Sequence, residues 1–210
     1  MNAVIAMLSM LIDHIGVIFY PDNDTFRIIG RLAFPLYCWF IVQGYHYTRD
    51  HKKYMKRLLI LAVISQAPFT LAFDEYALNV IVTLLLGLVA LYAYDRLPEP
   101  RRTLAVLGIL FVSVIVPMDY GIYGILLIFI YRFAAKGWQM LAGHLLLNLL
   151  YLLVYGPELW IQMFSILATG LILLSRPGEK RWIPNWLYRA FYPAHLAILY
   201  AIKQIFVKLG

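Results

Sequence analysis

The sequence predicts an all-α integral membrane protein, a polytopic bundle of about nine transmembrane helices with its N-terminus inside and its C-terminus outside. Three observations predict it. Of 210 residues, 63% are hydrophobic and only 14% are charged, with a mean hydropathy of +0.76, whereas soluble domains are roughly half apolar and a quarter charged. The apolar residues fall in separate runs of roughly 15–20, close to the length a helix needs to cross a bilayer. Those runs are apolar on every face, without the roughly ten-residue alternation of a membrane barrel, so helices must satisfy the backbone in lipid.

Taken in order, helix 1 is expected over about Asn2–Tyr20 and helix 2 over about Phe26–Tyr47, separated by the polar turn Pro21-Asp22-Asn23-Asp24-Thr25. The densest basic run, Arg49 to Arg57, follows, and then helix 3 over about Leu58–Phe73, ending at Asp74-Glu75. Helix 4 is expected over about Asn79–Tyr94, and helices 5 and 6 over about Leu104–Val116 and Gly121–Ala134. These last two are short for a hydrocarbon core of about 30 Å. Helices 7, 8 and 9 are expected over about Trp138–Tyr155, Leu159–Leu174 and Trp186–Lys208. All loops are short and no internal repeat is visible, so residues 1–210 read as a single domain.

The net charge of +7 does not point to nucleic acid, because its distribution is topological. The loops after helices 2, 4, 6 and 8 and their flanks carry fourteen of the eighteen Lys and Arg residues. Asp22, Asp24, Asp74, Glu75, Asp119 and Glu158 lie in the opposite loops. By the positive-inside rule the basic loops are cytosolic, which suits a multi-pass protein of the cytoplasmic (inner) membrane. Lys203 and Lys208 near the outer end depart mildly from the rule. The single cysteine, Cys38, admits no intrachain disulfide. No Lys or Arg precedes Arg27, and Asp13-His14 interrupts the first apolar run, so a signal peptide is not expected.

Asp13, His14 and Arg31 are the residues that need a reason, because an ionisable side chain within a membrane span is a functional-site hypothesis. His14 lies six residues before Tyr20 and Arg31 five after Phe26, which puts both roughly 8–9 Å beneath the outer boundary. Adjacent helix positions point about 100° apart. Asp13 is therefore expected to pair with Arg31, and with Arg27 one turn away, while His14 faces a cavity. Pro35 removes the helical hydrogen bond to the Arg31 carbonyl. The bland alternative is a packing ion pair beside a satisfied buried histidine. Gln43, His46, Gln66, Asn79, Thr83, His144, Asn148, Gln162, Tyr192 and His195 are the other polar residues inside predicted helices. Singly they read as helix-to-helix glue; together they are candidates for a polar path. The five histidines fall at different expected depths, so no metal site is expected, and no phosphate loop or serine elbow is present.

Several of these segments resemble the TraX family. The resemblance is carried by Met10-Leu11-Ile12-Asp13-His14-Ile15-Gly16, Arg27-Ile28-Ile29-Gly30-Arg31-Leu32-Ala33-Phe34-Pro35 and Thr48-Arg49-Asp50-His51-Lys52-Lys53-Tyr54. It continues through Ile64-Ser65-Gln66-Ala67-Pro68-Phe69, Thr83-Leu84-Leu85-Leu86-Gly87 and Asp119-Tyr120-Gly121-Ile122-Tyr123-Gly124. The family's known members are pilin N-acetyltransferases, similar to a wider group of transmembrane acyltransferases. The resemblance implies cytosolic acetyl-CoA as donor, an acceptor reached from the other side, and His14 as the catalytic residue. Relatives often carry an acid where Gln66 stands, so Gln66 is given no proton chemistry.

The expected function is therefore transfer of an acetyl group from cytosolic acetyl-CoA to an amine or hydroxyl at the outer side. His14 acts as general base or transient acetyl carrier, and Asp13 and Arg31 orient the site. Arg49, Lys52, Lys53, Lys56, Arg57, Arg181, Arg189 and His195 are expected to bind the CoA moiety, and Arg27, Gln43, Gln66, Asn79 and Asn148 to line the substrate path. The rivals are a proton-coupled transporter using Asp13, His14 and Arg31 as a relay, and an accessory membrane protein without catalysis. An odd helix count without a repeat weighs against the transporter.

Overall fold

The structure is a computed structural model and describes residues 2–175 and 183–209. Among the described residues it is all-helical apart from one isolated β-bridge: α1 (Asn2–Phe19), α2 (Asp24–Gly30), α3 (Ala33–Tyr47), α4 (His51–Phe73), α5 (Val80–Arg96), α6 (Arg101–Ile115), α7 (Gly121–Phe133), α8 (Gly137–Tyr155), a 3-10 segment (Pro157–Ser165), α9 (Ile166–Leu174) and α10 (Asn185–Leu209). Among the described residues, six helical spans are long and apolar enough to cross a membrane: Asn2–Phe19, Asp24–Tyr47, His51–Phe73, Gly137–Tyr155, Pro157–Leu174 and Asn185–Lys208. The outward faces are apolar, as Val63, Phe111 and Leu153 illustrate.

Three elements differ from expectation. Helix 2 is two helices that meet at Arg31-Leu32, because Pro35 has no N–H for the Arg31 carbonyl. The chain there tightens instead, with Arg31 N–H reaching both the Arg27 and Ile28 carbonyls and Leu32 N–H reaching that of Ile29. Second, α4 begins at His51, not Leu58, capped by Asp50, whose carboxylate accepts the Lys53 N–H at 2.9 Å. That backbone hydrogen bond holds the Asp50 carboxyl below its ordinary range. Most of the expected basic loop is thus the first two turns of a helix, which hydropathy cannot reveal because those turns are polar. Third, helix 8 starts as a 3-10 segment bent at Leu159 and becomes α-helical only from Ile166.

Small residues set the close approaches that membrane helices rely on. A side chain at Gly16 would overlap Phe26, and one at Gly30 would overlap the Asp13 carboxylate, so α1 and α2 close against each other around that acid. At the same end of the bundle, Leu78 N–H donates to the Pro117 carbonyl and Asp119 N–H to the Leu78 carbonyl, both at 2.9 Å. This short parallel bridge joins the α4–α5 and α6–α7 turns and fixes Asp119 and Tyr120 in place. Tyr120 takes a left-handed φ of 63° and stacks on Phe34 with ring centroids 3.6 Å apart. Ala62, Phe69 and Ala72 of α4 pack with Tyr192 and Leu196 of α10 in one buried apolar cluster, and at the end of α4 Lys203 of α10 pairs with Asp74 at 2.5 Å.

Candidate active site

A cavity of about 1050 Å³ runs through the bundle. At one end it is lined by Gly44, Thr48, Tyr54, Arg57 and Arg189, and at the other by Pro21, Asp24, Glu75 and Glu158. One mouth is therefore basic and the other acidic. Between them the wall is largely apolar and aromatic, with Tyr37, Phe40, Ile41, Ile60, Leu61 and Ile64, until it reaches a polar group nearer the acidic end. That group contains Asp13, His14, Arg27, Arg31, Asp119, Tyr120 and Gln162.

Within it, Arg27 Nη1 donates to both carboxylate oxygens of Asp13, at 3.0 and 2.9 Å. The nearest Arg31 nitrogen is 3.8 Å from Asp13. The expected order of partners is thus reversed: Arg27 is the close partner and Arg31 the distant one. The reason is the break after Gly30, which turns Arg31 away from α1 while Arg27 stays on the α2 face packed against it. Arg31 Nη1 instead donates to Gln162 Oε1 at 2.9 Å, with the Tyr120 hydroxyl at 3.4 Å. Burial raises the Asp119 carboxyl above its ordinary range, against the pull of Arg31.

Gln162 links this group to a buried polar network. Its Nε2 donates to the Tyr123 hydroxyl at 3.0 Å, and that hydroxyl donates to Asn148 Oδ1 at 2.7 Å and lies 3.0 Å from His144 Nε2. His144 Nδ1 meets Thr169 Oγ1 at 2.6 Å, and Thr169 meets the Tyr131 hydroxyl at 2.7 Å. A buried network satisfied this fully is rigid, and it holds Arg31 from behind.

His14 points into the cavity, with Phe73 edge-on at 5.0 Å between ring centroids and Tyr192 at 6.3 Å. Its Nδ1 lies 2.7 Å from His195 Nε2. The ring planes differ by 16° with centroids 4.9 Å apart. A nearly linear in-plane N–H···N bond gives that separation, since each ring adds about 1.1 Å to the nitrogen spacing. His195 Nδ1 in turn lies 2.6 Å from the Phe191 carbonyl. The expectation that the histidines lie at separate depths fails for this pair. The packing of α10 on α4 puts Lys203 at the level of Asp74, and His195 is eight residues before Lys203. This brings His195 within reach of His14, whereas counting inward from Trp186 leaves it near the basic end.

The other expected site residues divide. Arg57 and Arg189 line the cavity at its basic end. Arg49, Lys52, Lys53 and Lys56 are exposed outside the lining, and Lys53 pairs with Asp50 at 3.5 Å. Arg181 lies outside the described residues. His195 sits beside His14, away from that end. Among the path candidates, Arg27 lines the cavity, while Gln43, Gln66, Asn79 and Asn148 are outside the lining. Gln66 Oε1 accepts from Asn79 Nδ2 at 2.8 Å and Asn79 N–H at 3.0 Å, and Gln66 Nε2 donates to the Ala77 carbonyl at 2.9 Å. These two amides tie α4 to α5, and Asn148 belongs to the network around Tyr123. Gln162 and Tyr120 enter the site through contacts that residue type alone does not signal.

The family model described as "TraX protein" matches residues 3–203. A "Probable fimbrial assembly protein FimC, serogroup H1" of Dichelobacter nodosus is 30% identical over 234 residues, covering 96% of this chain and 93% of that protein. "Protein TraX" of Escherichia coli is 26% identical over 210 residues, covering 93% of this chain and 83% of that protein. An uncharacterized protein of Rickettsia prowazekii is 35% identical over 91 residues, covering 43% of this chain and 35% of that protein. No solved structure matches the chain significantly.

Proposed function

Because the chain belongs to the TraX family, we propose that it is a transmembrane acetyltransferase that takes acetyl groups from cytosolic acetyl-CoA and gives them to an amine or hydroxyl presented at the outer side of the cytoplasmic membrane. The observation that carries this reading is the cavity with His14 along it, basic at one mouth and acidic at the other. The basic mouth suits the phosphates of a CoA thioester, and Arg57 and Arg189 are the side chains on its wall. The apolar wall above them suits an acyl-bearing arm. Arg189 lies six residues before His195, about 9 Å along the helix. The charge distribution among the loops supports placing the basic mouth in the cytosol and the acidic mouth outside, with nine spans, the N-terminus inside and the C-terminus outside. Fimbrial assembly in the name of one relative suits an acceptor that is exported, such as a pilin or peptide N-terminus.

In the transfer step, for an amine acceptor, the amine nitrogen attacks the thioester carbonyl carbon and its proton moves to the His14 imidazole. The tetrahedral intermediate collapses with loss of the C–S bond, and the departing thiolate takes that proton. The products are the acetamide and CoA thiol. Arg31 supports negative charge developing on the carbonyl oxygen. Asp13 limits the net positive charge of the site, and Arg27 keeps Asp13 in place.

The test is transfer of label from acetyl-CoA to an amine-bearing acceptor by purified protein. Transfer by wild type and its loss in His14→Ala is the expected result. Full activity in His14→Ala sinks the mechanism. Absence of acetyl-CoA binding sinks the class, and proton-coupled transport through the same cavity becomes the reading to test. An engineered cysteine at Lys53 is expected to resist an impermeant thiol reagent applied from outside; labelling there would invert the topology.

A further inference from the structure

The two imidazoles raise the question of which nitrogen of His14 faces the cavity. A backbone carbonyl only accepts, so the 2.6 Å contact between His195 Nδ1 and the Phe191 carbonyl places a proton on Nδ1. Arg27 and Arg31 already place two cations beside Asp13, and burying a further cation next to them is costly, so both rings are neutral. A neutral His195 protonated at Nδ1 offers a lone pair at Nε2. The His14 nitrogen 2.7 Å from it must then be the donor. His14 accordingly carries its proton on Nδ1 and presents an unprotonated Nε2.

We propose that His195 is a positioning residue that fixes the tautomer and ring plane of His14, in a relay running from the Phe191 carbonyl through His195 to His14. Free neutral histidine prefers the opposite tautomer, with the proton on Nε2; the hydrogen bond at the other nitrogen decides it. The catalytic consequence rests on the acetyl-transfer reading. When Nε2 takes the acceptor's proton, His14 becomes an imidazolium whose Nδ1–H still donates to His195. His195 keeps its own Nδ1 proton throughout, and none crosses between the rings. A carboxylate orients the base in serine-hydrolase triads; here a neutral ring does so, anchored by its own helix. The Nε2 lone pair is equally the one needed for a transient acetyl-histidine, so the relay serves both chemistries.

The experiment uses the full chain in nanodiscs with ¹⁵N-labelled histidine, the His14 signals being assigned by their loss in His14→Gln. Side-chain nitrogen shifts are expected to show the Nδ1–H tautomer of His14 in wild type, and in His195→Gln, whose Oε1 accepts in place of the ring nitrogen. In His195→Leu they are expected to show the Nε2–H form or a mixture. In kinetics, His195→Leu is expected to lower kcat roughly 100-fold, the scale of a misplaced general base, with KM for acetyl-CoA within about twofold. His195→Gln is expected to recover most of that loss. An Nε2–H tautomer in wild type overturns the proposal, and so does an unchanged tautomer in His195→Leu. A raised KM with kcat intact overturns it too, placing His195 on the CoA moiety. The tautomer readout needs no turnover, so failure of acetyl transfer and failure of the relay are separate results.

Discussion

Arg31 is anchored by Gln162, through a 2.9 Å hydrogen bond from Nη1 to Oε1, more closely than by Asp13 at 3.8 Å. The aim of its guanidinium is thus set by the 3-10 segment and, through Tyr123, by the buried network around His144. Gln162→Leu is expected to lower kcat about 10- to 100-fold, since loss of one orienting hydrogen bond of charge-assisted strength is worth about 1.5–3 kcal/mol. KM for acetyl-CoA is expected to stay put. Steady-state kinetics check this, and a loss confined to KM counts against the role given to Arg31.

Asp13 serves two guanidiniums and Arg27 one carboxylate, so their deletions are not symmetrical. Asp13→Ala leaves two arginines without their acid, whereas Arg27→Ala leaves Asp13 within reach of Arg31. Asp13→Ala is expected to cost roughly 2–4 kcal/mol, near the range for breaking a buried pair. Arg27→Ala is expected to cost less, because its side chain is 34% exposed and solvent screens its share. Thermal unfolding in detergent should rank them in that order.

Gly30→Ala places a methyl group where the Asp13 carboxylate lies. Overpacking of this kind costs about 1–3 kcal/mol, and here it also displaces the acid from Arg27. Lower Tm and lower activity together are the expected outcome. A variant with wild-type activity would mean that Asp13 can move without consequence.

Gln66→Leu separates scaffold from path. It removes the acceptor of the Asn79 side chain and backbone N–H at the start of α5, and an unpaired buried amide costs about 1–3 kcal/mol. A lower Tm with unchanged activity per folded molecule is expected. A change in KM at unchanged Tm would return Gln66 to the substrate path.

Asp119 gives a pH dependence of stability with a definite sign. Burial raises its carboxyl in the folded protein, so between the ordinary carboxylate range and the raised folded value the unfolded chain is ionised and the folded one is not. Stability lost with rising pH across that window is absent once the group cannot ionise. Asp119→Asn is therefore expected to equal wild type near pH 4 and to exceed it in Tm at pH 8. An advantage confined to acid would reverse the assignment.

Much of this protein is legible in its sequence because lipid is a demanding solvent. The apolar runs mark the helices since an unpaired backbone is not tolerated there, and ionisable residues stand out because few are. Asp13, His14 and Arg31 are found that way, and the short turn after Phe19 is enough to bring α1 against α2. Helix type is less legible: the 3-10 start at Pro157 and the polar first turns of α4 follow from capping and local hydrogen bonding, which hydropathy does not measure.

What the sequence determined by itself is the membrane class, the helix order and the segregation of charge, all set by local composition. The tertiary structure decided the partners. That Arg27 holds Asp13, that Gln162 aims Arg31 and that His195 meets His14 across 181 positions depends on where helices distant in the chain are fixed against one another. Those levels come from side-chain packing such as that of Phe69 and Ala72 with Tyr192 and Leu196 and from close approaches such as Gly30 against Asp13. Helical periodicity gives a residue's face and its approximate depth, but not the offset between two helices, and a hydrogen bond is decided within a few tenths of an ångström.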